Sequence, residues 1–235
     1  MKKYSKEEAL KVYGHELYFD LTEEYLKDGR TRKTVAEKYD MSLSAVSKLI
    51  DEGIAECILS YHTSEMIRDK TLRIQSRHIR GGKVSLNTER HYKDLFKKRI
   101  EYVRSLKVKR AQEIVNLYME CYVGVISKMT GFSPVEINII LRNCIIYGIV
   151  SLDDTKKMME IAVKRAPKEK KNVEREIERY VRLRDEYASI TSQIEMYEYQ
   201  IETAENQEFE LSRVDFFEER LASLKKQRDD FRRYY

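Results

Sequence analysis

Ser42, Leu43, Ser44, Ser47 and Lys48 fall within seven residues, at a spacing that on a helix keeps them off the apolar side formed by Val46 and Leu49. Short hydroxyls and one ammonium group in that pattern suit the major groove of a duplex. The serines can pair with several base edges, Lys48 with guanine or phosphate, and Leu43 can touch a thymine methyl. A second set follows downstream: Arg68, Lys70, Arg73, Arg77, His78, Arg80 and Lys83 run along one helix and its exit. Their chemistry is phosphate neutralisation, where each contact releases condensed counterions and makes affinity fall with salt. One set for base edges and another for backbone is the division of labour that a duplex DNA reader needs.

The charge distribution supports this reading. Residues 66–110 hold 15 Lys/Arg against 4 Asp/Glu, a net of +11, although the whole chain carries only +5. The first 60 residues sum to −2 and the last 68 to −3. A solvated helix face normally mixes signs, so an excess of almost four to one marks an interaction surface for a polyanion. No aromatic-rich sheet platform for RNA is legible.

Catalytic chemistry finds little to work with. His15, His62, His78 and His91 lack metal-ligand spacing, as do the three cysteines, Cys57, Cys121 and Cys144. Cys144 lies in an apolar run and reads as a buried, inert thiol. Asp153 and Asp154 could form an acid pair but fit better at the start of a helix. No phosphate-cradling glycine loop and no nucleophile–base arrangement is present. The expectation is a protein that is not an enzyme and takes no cofactor or metal.

The elements that must position these residues are helices. Only 8 Gly and 2 Pro occur, 36% of residues are charged, and mean hydropathy is −0.64. Ser5 and Glu8 form a capping box ahead of Leu10, Tyr13, Leu17 and Leu21, and Asp28-Gly29 ends that helical region. Over residues 32–51, Val35, Ala36, Tyr39, Met41, Val46 and Leu49 are spaced as in a helix-turn-helix, with Ser42 capping the second helix. Asp40 stands at the turn position where positive φ favours glycine. A basic helix over 64–80 ends at Gly81-Gly82, and the pattern predicts a further helix from residue 88 to about 119. Ile126, Met129, Gly131, Phe132, Ile137 and Ile140, with Ser133-Pro134 at a helix start, form a second such frame. Its outward positions, Val135, Asn138 and Ile139, carry no charge, so it reads as a packing or dimerisation domain.

Beyond residues 166–168, Tyr180, Leu183, Tyr187, Ile190, Ile194, Tyr197, Ile201 and Ala204 recur at steps of three and four, a coiled-coil seam. The seam loses phase and restarts as Val214, Phe217, Leu221, Leu224, Arg228 and Phe231. Two antiparallel helices are favoured over a single rod.

Two stretches carry a resemblance. They are Lys33-Thr34-Val35-Ala36-Glu37-Lys38-Tyr39-Asp40-Met41-Ser42-Leu43-Ser44-Ala45-Val46-Ser47-Lys48 and, downstream, Arg77-His78-Ile79-Arg80-Gly81-Gly82-Lys83. In this order they resemble the stage III sporulation protein D family of bacterial transcriptional regulators, over roughly residues 30–85. The resemblance implies sequence-specific promoter binding. The second helix would enter the major groove, while the end of the basic helix and its Gly-Gly exit reach neighbouring backbone or minor groove.

The sequence thus predicts an all-α protein with a helix-turn-helix DNA-binding domain and basic extension over 1–87. A helical middle domain over 88–166 and a coiled-coil hairpin over 167–235 follow. The expected function is sequence-specific double-stranded DNA binding in transcription regulation, by a cytoplasmic homo-oligomer joined through the coiled coil. The alternative is a DNA-anchored coiled-coil adaptor in plasmid or phage segregation or replication, whose hairpin recruits a protein partner. No apolar run is long enough to span a membrane, and the start, Met1-Lys2-Lys3-Tyr4-Ser5, leads into no signal-peptide core.

Overall fold

Ser5 opens the first helix because its hydroxyl accepts the Glu8 N–H at 3.3 Å while the Glu8 carboxylate accepts the Ser5 N–H at 2.8 Å. The computed structural model describes residues 3–78, 86–205 and 211–234. Among these residues the chain is all-helical, with no strand. The helices are α1 Lys6–Tyr13, α2 Leu17–Leu26, α3 Arg32–Lys38, α4 Leu43–Ala55, α5 Tyr61–His78 and α6 Leu86–Arg104. They continue as α7 Val108–Glu120, α8 Val123–Thr130, α9 Pro134–Ile146, α10 Leu152–Arg165, α11 Lys170–Glu205 and α12 Leu211–Tyr234, with a 3-10 turn at Pro167–Glu169. Among the described residues no helix is long and apolar enough to cross a membrane.

Two breaks depart from the sequence expectation. Gly14, at φ 71°, ends α1 where the apolar spacing alone runs on into α2. The helix expected from residue 88 to about 119 is two, α6 and α7. The Ser105 hydroxyl bonds back to the Tyr102 carbonyl at 3.0 Å, and Lys107 is extended before α7 begins. Buried positions keep their helical spacing across this break, from Tyr92, Leu95 and Val103 to Ala111, Ile114 and Val115, so periodicity could not reveal it.

The chain divides into two compact units, Met1–Ser105 with Tyr122–Ile137, and Leu106–Cys121 with Asn138–Tyr235. This differs from the three-part division expected at residues 87 and 166. α6 lends Tyr92 and Leu95 to the core of the first unit, and α10 packs on α11 in the second, so contacts do not thin out at either position.

In the first unit, Leu17, Leu21 and Tyr25 of α2, Val35 and Ala36 of α3, and Val46, Leu49, Ile50 and Ile54 of α4 share one core with Ile67 of α5. Asp40 adopts φ 52°, which turns the chain between α3 and α4 and lets the Met41 N–H reach the Ala36 carbonyl at 2.8 Å. Tyr4 pairs with this turn: its N–H donates to the Asp40 carbonyl (2.8 Å) and its carbonyl accepts the Ser42 N–H (3.2 Å). That N-terminal strap was not legible, since it joins residues far apart in sequence.

In the second unit α11 and α12 pack against one another. The Tyr187 ring meets Phe231 and the Tyr197 ring meets Phe217, so the two helices run antiparallel. Ile190, Ile194, Leu224 and Phe231 are buried with Ile146, from the end of α9, and Leu183 and Leu221 flank them. Of the seam residues expected to join two copies, Ile190, Ile194, Leu224 and Phe231 are thus buried within one chain, while Tyr180, Leu183, Tyr187, Tyr197 and Leu221 are partly buried against them.

Candidate nucleic-acid interface

α4 begins at Ser42, whose hydroxyl accepts the Ala45 N–H at 3.1 Å. Its acceptor role is committed to that cap, which distinguishes it from the other residues expected to face a groove. Ala45, Val46, Leu49 and Ile50 turn inward. Leu43 (50% exposed), Ser44 and Lys48 turn outward, with Ser47 half-buried beside them. The face is a stripe of small hydroxyls with one leucine and one cation.

Asp51 continues this stripe, seven residues beyond Ser44. A carboxylate there would repel phosphate, but Arg32 Nη2 lies 3.4 Å from its Oδ1 and His91 Nε2 lies 3.0 Å from its Oδ2. The Arg32 guanidinium also donates to the Tyr92 hydroxyl (3.0 Å), which meets Thr71 Oγ1 (2.8 Å), and that oxygen meets the Tyr25 hydroxyl (2.8 Å). A polar chain thus ties α2, α5, α6 and α3 to the outward side of α4. Sequence reading missed Asp51, Arg32 and His91. The helical register of Asp51 was the available signal, whereas its partners lie 19 and 40 residues away.

The basic stretch is less uniform than its composition. Lys70 Nζ sits 2.5 Å from the carbonyl oxygens of both Tyr25 and Lys27, closing the end of α2, and burial lowers its pKa. Arg68 pairs with Asp69 at 2.9 Å and lies over the Phe96 ring. Arg73 is exposed, its Nε donating to the Asp69 carbonyl at 3.3 Å. Arg77 and His78 end α5, with side chains outside the described residues, as are Arg80 and Lys83 entirely.

Arg99 is no surface cation at all. It is 1% exposed, donates to the equally buried Glu136 carboxylate at 2.6 Å, and donates to the carbonyls of Leu59 (2.7 Å) and Gly131 (3.3 Å). Further along, Lys107, Lys109 and Arg110 belong to the second unit, where Arg110 pairs with Glu113 at 2.8 Å.

Asp153 and Asp154 occupy the first turn of α10, capped by Ser151. The Ser151 hydroxyl and the Lys157 ammonium hold the Asp154 carboxyl below its ordinary range. Burial pushes the Cys57 and Cys144 thiols up to about 12. Among the described residues no group of three or more His, Cys, Asp or Glu could hold a metal ion.

Comparison with protein-family models, with curated proteins and with solved structures gave no match to this chain.

Proposed function

We propose that this protein is a sequence-specific double-stranded DNA-binding regulator of transcription, in which α3 and α4 act as a helix-turn-helix. The observation that carries the reading is the outward stripe of α4, in which Leu43, Ser44 and Lys48 are exposed among the described residues and Ser47 is half-buried beside them. Its opening turn is fixed by Asp40 and held by the Tyr4 strap. α4 would enter the major groove and Lys48 would meet guanine or phosphate. Arg73 and the residues expected to follow it, Arg77, His78, Arg80 and Lys83, would contact backbone. Resemblance to the stage III sporulation protein D family over residues 30–85 points the same way. A cytoplasmic location belongs to this reading. Because α11 and α12 bury Ile190, Ile194, Leu224 and Phe231 within one chain, the reading does not rest on a dimer formed through them.

The test is selection of bound fragments from random duplex DNA, followed by titration of variants on the selected site and on random sequence. Lys48→Ala and Ser44→Ala are expected to reduce preference for the site, each base contact being worth about 1–3 kcal/mol. Arg73→Ala, Arg77→Ala and Arg80→Ala are expected to weaken both duplexes alike and to flatten the salt dependence. Equal losses on both duplexes for the two groups of variants would contradict this division of roles.

A further inference from the structure

The carboxylate of Glu24, near the end of α2, has a side chain only 4% exposed, yet three cations converge on it. Lys38 Nζ lies 2.8 Å and Lys27 Nζ 3.0 Å from its Oε2, and Arg30 Nε lies 3.1 Å from its Oε1. Glu23 Oε1 also lies 4.0 Å from Lys27 Nζ, so two carboxylates against three cations leave one positive charge in surplus there. The cations do not share the burial of their anchor, since their side chains are 54%, 48% and 49% exposed for Lys27, Arg30 and Lys38. An ammonium carries three N–H donors and a guanidinium five, so the bonds to Glu24 leave most donors available. Hydrogen bonds from Lys38 and then Lys27 pull the Glu24 pKa down to about 2, which keeps the anchor ionised at neutral pH.

Heads held in this way have already lost much of their rotamer freedom, so a ligand that meets them does not have to order three long side chains. The cluster adjoins the turn that opens α4. Lys38 Nζ lies 5.7 Å from the Tyr39 ring centroid, and the Tyr39 ring meets that of Tyr13, which meets that of Tyr4. Only three residues lie between Lys38 and Ser42, a chain length of at most about 15 Å. A duplex with α4 in its groove would therefore pass its backbone close by.

We propose that Lys27, Arg30 and Lys38, anchored on Glu24, form a phosphate clamp for the sugar–phosphate backbone of the duplex that receives α4. The clamp rests on the DNA-binding reading above. It lies outside the basic stretch of residues 66–110, in a part of the chain whose net charge is slightly negative.

The test uses the full chain, a duplex bearing the selected site and a random duplex, titrated over a salt series. Lys27→Gln, Arg30→Gln and Lys38→Gln each leave Glu24 two partners. A fourth variant adds Glu24→Gln to all three, so that no buried anion is left unpaired. Cooperative thermal unfolding reports that each variant is folded. Each single variant is expected to weaken both duplexes equally. Its log affinity against log salt is expected to flatten by about 0.9, equivalent to about eightfold in affinity between 1 M and 0.1 M salt. The fourth variant is expected to flatten it by roughly 2 to 3. Lys156→Gln on α10, an equal change of charge in the other unit, is expected to leave the slope unchanged. Folded clamp variants with the parent slope, or a Lys156→Gln effect as large as theirs, would overturn the clamp while leaving the α4 reading intact. Absence of duplex binding by the unaltered protein at low salt would overturn both.

Discussion

Asp40 holds the turn between α3 and α4 at φ 52°, a conformation that costs an L-residue energy which glycine avoids. Asp40→Gly is therefore expected to stabilise the protein slightly, by about 0.5 kcal/mol after the added freedom of the unfolded chain is counted. A raised urea midpoint agrees with this, and an unchanged or lowered one contradicts it. The thiols offer a second check at this scale. With Cys57 and Cys144 pushed up to about 12, thiolate is scarce at either until the solution is strongly alkaline. Brief alkylation of the folded protein near pH 8 is expected to spare both, with mass spectrometry locating any adduct on Cys121, and rapid labelling of all three would refute it. Residue-level features with local causes were legible: the Ser5–Glu8 capping box, the Ser42 cap and positive φ at Asp40. Lys70 was not, because two carbonyls at the end of α2, more than forty residues away, decide what its ammonium does.

At the scale of elements, apolar spacing located the helices well and their breaks poorly. Gly14 divides α1 from α2 through its positive φ, and Ser105 divides α6 from α7 through a bond to its own helix, while the apolar spacing runs through both. Gly53 shows a different constraint. A Cβ there would stand 3.0 Å from the Leu59 side chain, so that side chain would have to shift for any larger residue to fit. Arg99 of α6 joins the end of α4, the Gly131 turn and the first turn of α9, all within the first unit. Arg99→Ala would leave Glu136 buried without its cation and is expected to cost about 3–5 kcal/mol. Denaturant unfolding would measure the loss, and a change below about 1 kcal/mol would show that the pair is not what secures this junction. In the second unit Leu224, 3% exposed, lies in the α11–α12 seam. Leu224→Ala is expected to cost about 2–5 kcal/mol there. A loss that grew as protein concentration fell would point instead to a seam shared between copies.

For the molecule as a whole, composition identified an all-helical chain, but not how its segments interleave. Residues 122–137 return to the first unit after residues 106–121 have joined the second, a pairing that depends on long-range contacts which periodicity does not encode. Net charge misled in a similar way. The +11 of residues 66–110 includes a buried arginine and three cations of the second unit, while the Glu24 cluster carries surplus charge in a stretch that sums to −2. The account stands on α4 as the reader of base sequence. Its most direct test is the ratio of affinities for the selected duplex and a scrambled one, measured at one salt concentration with the unaltered protein and with Lys48→Ala. The account predicts a preference of at least about 10³ for the unaltered protein, cut about fivefold or more by the substitution. A ratio near one, or one that Lys48→Ala leaves untouched, would contradict it.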